Sequence, residues 1–397
     1  MNESANLTVG QRISEGFAVK GYVSGKGVTS KNYLAASTNS LSSSKGQFNT
    51  FFGYETGDVN KEGSYNAFIG YQSGKLNSSG FGNVLIGYQS GLSNTTGFKN
   101  AFIGYKAGYM NSSGFSNVFI GDSTGFSNLA GIGNVYLGNQ CGSLNNGNYN
   151  TYIGFRSGAS STSGTSNIYI GYRAGYTNSS GTKNIMLGNN SGGFNSTGSS
   201  NVFLGDAAGY NSSGSGNIFI GNNAGFNETN SNRLIIDNSS TVTPMIWGEM
   251  DLNRIVINGR SSDNPSGYTF YVNGSAGGDF AWNTTSDARL KKNIVTITDP
   301  LEKIIKLRGV NFEWKDEDAM EKGTRLGFLA QEAEEVIPEV VNKTGEYWSM
   351  QYGPISALLV EAMKEQQKQI ETLKTQIDEL KALVNSLIAN QAEKGNK

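Results

Sequence analysis

Eleven asparagines spaced by 17 residues, or by 16 at two places, organise residues 49 to 225 of this 397-residue chain. They are Asn49, Asn66, Asn83, Asn100, Asn117, Asn134, Asn150, Asn167, Asn184, Asn201 and Asn217, and a glycine follows four residues after each. A second glycine lies four residues further on, always preceded by Thr, Ser, Ala or Cys, from Thr56 through Cys141 to Ala224. A register kept this strictly implies that each unit stacks on the next as one turn of a solenoid.

Within the unit Asn83 to Gly97, a short apolar strand ends at Gly87, a second short segment places Ser90 before Gly91, and an Asn- and Gly-rich turn returns the chain. Alternation puts Val84 and Ile86 on one face and Leu85 on the other, and Ala101–Phe102–Ile103 and Val118–Phe119–Ile120 repeat this. Both faces are therefore apolar. One is buried inside the coil, and the other needs a second partner, most simply an identical coil, so the pattern predicts an oligomer. The stacked asparagines are expected to form a hydrogen-bonded ladder, and Cys141 is read as a small space-filler.

Two surface features have a functional and a structural reading. Asn77, Asn94, Asn111, Asn178, Asn195 and Asn211 stand in Asn-x-Ser/Thr triplets that match glycosylation acceptors, but turn chemistry alone selects the same residues. Tyr54, Tyr71, Tyr88, Tyr105 and Tyr172 follow the first glycine and would make either a sugar-stacking strip or a packed aromatic ladder; the ladder is preferred.

Composition narrows the chemistry. Aromatic residues reach 11%, too many for a disordered linker, while a net charge of −1 argues against nucleic acid binding. The absence of His and a single Cys exclude zinc sites, His-based triads and disulfide frameworks, so no cofactor or metal is expected. The first residues lack the basic head and apolar run of a secretory signal, and no stretch of about 18 apolar residues occurs. Cytosolic synthesis without a signal peptide, and no membrane insertion, are the expectations.

Four regions follow: an attachment segment or flexible lead at 1–46, the repeat rod at 47–230, a β-rich connector at 231–285, and a tail at 286–397. In the connector, short alternating runs such as Arg254-Ile255-Val256-Ile257 are separated by Gly and Asn. From Asp287 onward the chain turns rich in Lys and Glu, nearly free of Gly, and helical in pattern. Ser286 and Lys291, five residues apart, have the types of a nucleophile and a base, although Ser-Asp before a charged turn is by itself an ordinary cap or loop. Leu359, Met363, Gln366, Ile370, Leu373, Ile377, Leu380, Val384 and Leu387 step by four and three, which predicts a coiled coil over 355–390. Its seam chemistry alone favours two strands.

The repeat unit resembles the trimeric β-roll heads of phage tail fibres and trimeric bacterial adhesins. Ser286-Asp287-Ala288-Arg289-Leu290-Lys291-Lys292-Asn293-Ile294, then Gly327-Phe328-Leu329-Ala330-Gln331-Glu332 and the long terminal helix, resembles the intramolecular chaperone domain of phage endosialidases and tail fibres, the S74 peptidase family. The resemblance implies a mainly β, trimeric rod followed by an α-helical chaperone that drives trimerisation. It also implies a single self-cleavage at Thr285-Ser286, with Ser286 as nucleophile and Lys291 as base. The expected protein is the homotrimeric tail fibre of a phage or a phage-derived contractile injection system. It would sit in an extracellular particle, be held to baseplate or tail through its N-terminus, and contact a host cell-surface receptor, possibly a glycan. A trimeric surface adhesin and a polysaccharide-degrading tailspike are the alternatives; the adhesin would need a signal sequence and membrane β-barrel, the tailspike clustered acids.

Overall fold

A computed structural model of the chain describes residues 16–22, 31–37, 46, 48–264, 267–274, 276–277, 285–315, 322–344 and 346–395. Most of the expected attachment segment 1–46, and part of the 231–285 connector, lie outside the described residues. Two compact units emerge: Met1–Ser261 with Thr269–Tyr271, and Ser262–Tyr268 with Val272–Lys397.

The first unit begins with strands β1 (Gly16–Tyr22) and β2 (Lys31–Ser37), paired antiparallel, and β2 pairs antiparallel with β3 (Asn49–Phe52). From there the chain winds as a solenoid. Its strands are β4 (Ala67–Ile69), β5 (Val84–Ile86), β6 (Ala101–Ile103), β7 (Val118–Ile120), β8 (Val135–Leu137) and β9 (Thr151–Ile153). Then follow β10 (Ile168–Ile170), β11 (Ile185–Leu187), β12 (Val202–Leu204), β13 (Ile218–Ile220) and β14 (Arg233–Ile236). Every strand from β3 to β13 pairs in parallel with the next, position for position, so that Phe68, Leu85, Phe102 and Phe119 stack in one column.

That column is the core. Only the middle residue of each strand points inward, and Phe68, Leu85, Phe102, Phe119, Tyr136, Tyr152, Tyr169, Met186, Phe203 and Phe219 are all fully buried. Consecutive rings lie nearly parallel, with centroids 4.7 Å apart for Phe102–Phe119 and 4.8 Å for Phe119–Tyr136, close to the spacing of paired strands. The coil is so narrow that glycine is forced at both conserved places. At Gly87, with φ +135°, a Cβ would lie 2.2 Å from the Gly104 oxygen one coil on; at Gly91, with φ +55°, it would meet Leu85 Cδ1 at 2.8 Å.

The asparagines supply the hydrogen bonds that such a tight corner lacks. Asn66 N–H donates to Asn49 Oδ1 at 2.9 Å, while Asn66 Nδ2 donates to the Gly80 oxygen at 2.9 Å. The same pair of bonds recurs at Asn83, Asn100 and Asn117. Each amide is fully or almost fully buried, so the ladder satisfies backbone groups that would otherwise cost about 1–3 kcal/mol each. The small residue before the second glycine fills the opposite corner. Ser90 Oγ donates to the Phe102 oxygen at 2.9 Å and Cys141 Sγ to the Tyr152 oxygen at 3.2 Å, with Cys141 wholly buried.

The Asn-x-Ser/Thr triplets are turns. Asn77, Asn94, Asn111, Asn178 and Asn195 are fully buried and form a second ladder, as in Asn94 Nδ2 to Asn77 Oδ1 at 3.0 Å. Asn211 is exposed, with Nδ2 donating to Asn227 Oδ1 at 2.8 Å.

Parallel stacking runs one level beyond the last asparagine, because the Arg233 N–H takes the place of an asparagine N–H on Asn217 Oδ1 at 2.7 Å. Strands β15 (Ile246–Glu249) and β16 (Arg254–Ile257) then turn antiparallel and close the end, followed by β17 (Phe270–Val272). Trp247 and Val256 cover the last core residue, Ile235. Glu249, nearly buried, lies 3.4 Å from Arg233 and 3.7 Å from Arg254. This charged cap gives the open stack end the polar finish that repeat arrays require.

Two outward rows remain on the strand face. The position before the second-last strand residue runs Ala67, Val84, Ala101, Val118, Val135, Thr151, Ile168, Ile185, Val202, Ile218, and the last runs Ile69, Ile86, Ile103, Ile120, Leu137, Ile153, Ile170, Leu187, Leu204, Ile220. Neither row holds a charge. Ile69, Ile120, Ile168 and Leu204 are each more than a third exposed in the single chain.

The second unit is more mixed than its Lys- and Glu-rich composition implies. Helix α1 (Pro300–Lys306) precedes the antiparallel pair β18 (Val310–Phe312) and β19 (Arg325–Gly327), then helix α2 (Ala330–Val336). The pair β20 (Val341–Asn342) and β21 (Ser349–Met350) leads into the 41-residue helix α3 (Ile355–Gly395). Strands of two or three residues are too short for alternation to betray them. A small core gathers Ile337, Val340, Ile355 and Leu358, with Ile304, Leu307 and Phe328 packed against it.

Candidate functional site: the Ser286–Lys291 pair

The local sequence folds Ser286 and Lys291 back on each other. Asp287 caps a single 3-10 turn, Ala288–Leu290, by accepting from the Arg289 N–H at 2.9 Å, and the Lys291 N–H closes it on the Ala288 oxygen at 3.1 Å. The Arg289 guanidinium also grips the Asp287 carboxylate, with Nη2 to Oδ2 at 2.6 Å. That contact, first the side-chain bond from Arg289 and then its backbone N–H, holds the Asp287 carboxyl below the usual range.

On this frame Lys291 Nζ donates to Ser286 Oγ at 2.7 Å. Both residues are exposed, as is Thr285, whose carbonyl begins the Thr285-Ser286 bond. The two side chains are thus brought together within one turn by the cap that Ser-Asp before a charged turn implies, while Arg289, to which the sequence reading gives no role, grips Asp287. The signal was available in the Asp-x-Arg spacing around a single turn. What the arrangement can do depends on the proton. A lysine side chain serves as a base only in its neutral form, which removal from water favours in general.

Further along the tail, Gly327 is explained by Tyr352. A Cβ on Gly327 would lie 2.7 Å from Tyr352 Oη, which accepts from the Phe328 N–H at 3.2 Å. Glu332 pairs with Arg308, whose Nε donates to Glu332 Oε2 at 3.1 Å. Helix α3 packs its first turns on α1, where the Leu301 N–H donates to Glu365 Oε2 at 3.2 Å. Beyond that its seam, including Met363, Ile370, Leu373, Ile377 and Leu380, is exposed along the single chain.

The tyrosine strip of the rod is a ladder. Tyr54, Tyr71, Tyr88 and Tyr105 stack with centroids 5.3, 5.1 and 5.1 Å apart, and Tyr172 stacks on Phe155 at 5.6 Å. Because each ring covers its neighbour, inner members offer a ligand only their edges. Among the described residues, no three His, Cys, Asp or Glu side chains gather as a metal site, and no helix is long and apolar enough to cross a membrane.

Comparison with known proteins places this segment in a matched region. Residues 286–342 match the family model of the S74 peptidases, described as the chaperone of endosialidase, and the match begins at Ser286 itself. The chain is also 29% identical over 113 residues to the long tail fibre protein Gp37 of Salmonella phage S16. That alignment covers 26% of this chain and 15% of the phage protein, so the chain spans only a small part of the length of its relative. Behind a β-solenoid, then, residues 286–342 match the chaperone of endosialidase of the S74 peptidases, and with the likeness to a phage long tail fibre this supports a phage tail fibre with a C-terminal chaperone domain.

Proposed function

We propose that three copies of this chain form an attachment fibre of a phage or phage-derived injection particle, joined to its tail or baseplate through the N-terminal segment and reaching a cell-surface receptor. The uncharged Ile/Leu/Val rows of the strand face supply the contact between copies. The α3 seam brings three C-termini together, which sets a common register before the rods zip.

Closure of the trimer buries the Lys291 stem and shuts water out around its amine. Ser286 Oγ then adds to the Thr285 carbonyl carbon while its proton passes to Lys291 Nζ. The carbon–nitrogen bond breaks as that proton is delivered to the Ser286 nitrogen, leaving an ester. Water hydrolyses the ester, giving a Thr285 carboxylate and a tail that starts at Ser286. Cleavage is coupled in this way to correct assembly, and it acts once on the protein's own chain. The observation that carries the proposal is the 2.7 Å contact between Lys291 Nζ and Ser286 Oγ.

The test is a denaturing gel of purified assemblies. The parent is expected to release a tail of residues 286–397, whereas Ser286→Ala and Lys291→Ala assemblies keep it. Equal cleavage in all three removes the pair from the chemistry.

A further inference from the structure

From Asp122 to Asp206 the chain contains no Asp or Glu at all, yet three cations, Arg156, Arg173 and Lys183, fall inside that stretch. Arg156 and Arg173 occupy the same corner of adjacent coils, both with left-handed backbone, φ 53° and 52°. Successive coils are about 5 Å apart, so two like charges stand one above the other. The nearest acids, Asp122 and Asp206, lie two coils away on either side, about 10 Å, where exposed charges are largely screened. Identical copies aligned in register bring no carboxylate to these levels either.

The two guanidiniums are held by neutral groups instead. Arg156 Nε donates to Gln140 Oε1 at 2.6 Å, and the guanidinium lies 5.4 Å from the Phe155 ring centre. Arg173 sits over Tyr176 at 4.6 Å and beside Tyr172 at 5.8 Å, and its buried Nε has no hydrogen-bond partner. Phe155 and Tyr172 are both more than 40% exposed. The aromatic ladder ends at Tyr172, since Asn189 occupies the corresponding place in the next coil. Its outer ring face is therefore not covered by a further ring.

We infer that Arg156 and Arg173, with Phe155, Tyr172 and Tyr176, form a receptor-contact patch for an anionic cell-surface polysaccharide. The guanidiniums would take its carboxylate or phosphate groups, and the rings the apolar faces of its sugars. This rests on the attachment role proposed above and names its ligand class. Arginine suits the task because its planar fork pairs with either anion in two parallel bonds.

The experiment compares retention of the assembled fibre on immobilised polygalacturonate, which carries carboxylates, phosphomannan, which carries phosphodiesters, and neutral dextran. The parent is expected to bind at least one anionic polymer and not dextran, with binding falling as salt rises. The Arg156→Gln/Arg173→Gln variant is expected to lose at least about tenfold, on the scale of charge-assisted hydrogen bonds. Glutamine already occupies this corner with the same backbone at Gln72, Gln89 and Gln140, so the fold tolerates the change. Lys99→Gln/Lys183→Gln removes the same charge elsewhere and is expected to bind as the parent does. Undiminished binding by the arginine variant, an equal loss in the lysine control, or no retention of the parent on either anionic polymer overturns the inference. Should parent and arginine variant adhere to cells equally, the patch is refuted while attachment itself stands.

Discussion

A coil of the solenoid and the terminal helix α3 are both repeats, of 17 and of seven residues, but they hide their apolar side chains differently. In the coil the inward ring finds its partner one turn away on the same chain, and Phe119 is fully buried between Phe102 and Tyr136. In α3 the seam residues have no such neighbour: Leu373 and Leu380 are 56% and 61% exposed. A solenoid completes its core by its own stacking, whereas a single long helix is left with a stripe that only another chain can cover. The strand face of the rod stands between these cases, with an inner core finished and an outer row of Ile and Leu left over.

The sharpest way to break this contrast is a matched pair of truncations. Phe119→Ala is expected to cost the rod about 3–5 kcal/mol, seen as a lower melting transition at any protein concentration. Leu373→Ala is expected to leave the rod transition in place and instead to raise the concentration at which copies associate, read by sedimentation. Similar effects of both on the same transition would erase the distinction.

Next in size is the asparagine ladder. Asn117 Oδ1 accepts from the Asn134 N–H at 2.9 Å, and Asn117 Nδ2 donates to the Gly131 oxygen at 2.7 Å, all of it buried. Asn117→Ala strands both backbone groups and is expected to cost about 2–4 kcal/mol, with hydrogen exchange rising first in coils 117 to 134. A loss below about 0.5 kcal/mol would show that the ladder is incidental.

Cys141 sharpens the comparison from the other side. Burial raises its thiol pKa far above the usual range, and serine already stands in its place in the coils of Ser73, Ser90, Ser157 and Ser191. Cys141→Ser is therefore expected to shift stability by less than about 1 kcal/mol. Thiol reagents should label the parent only on unfolding.

The smallest effect concerns the first coils. The Glu55 carboxyl is lowered to about 2, first by the hydrogen bond from Lys75 and then by that from Gln72. A depressed carboxyl contributes stability above its ordinary value of 4.5, and the contribution fades as pH falls toward 2. Glu55→Gln is expected to lower stability slightly near neutrality and to flatten the acid side of the profile, so that variant and parent converge as pH falls toward 2.

Much of the rod was legible because the period, the glycines and the asparagines all express one geometric demand, a turn too tight for a Cβ and too short of hydrogen-bond partners. The Ser286 and Lys291 types were legible too, but their 2.7 Å contact depends on the 3-10 turn that Asp287 and Arg289 hold, which is a matter of three-dimensional closure. The interior was less so. Tyr136 looks interchangeable with Phe119 in sequence, yet its hydroxyl donates to Asn145 Oδ1 at 2.9 Å, and Asn145 Nδ2 reaches Ser161 Oγ at 2.8 Å. A polar thread therefore runs through an otherwise apolar column, and nothing in the 17-residue pattern announces it. The short strands of the tail escaped for the opposite reason, being shorter than any period.

Native mass spectrometry of the purified full-length chain at micromolar concentration tests the proposed assembly most directly. The predicted result is a mass of three copies, either intact or three rods that end at Thr285 beside separate tails that begin at Ser286. A stable single copy, with its Ile and Leu rows and helix seam exposed in solution, would contradict it.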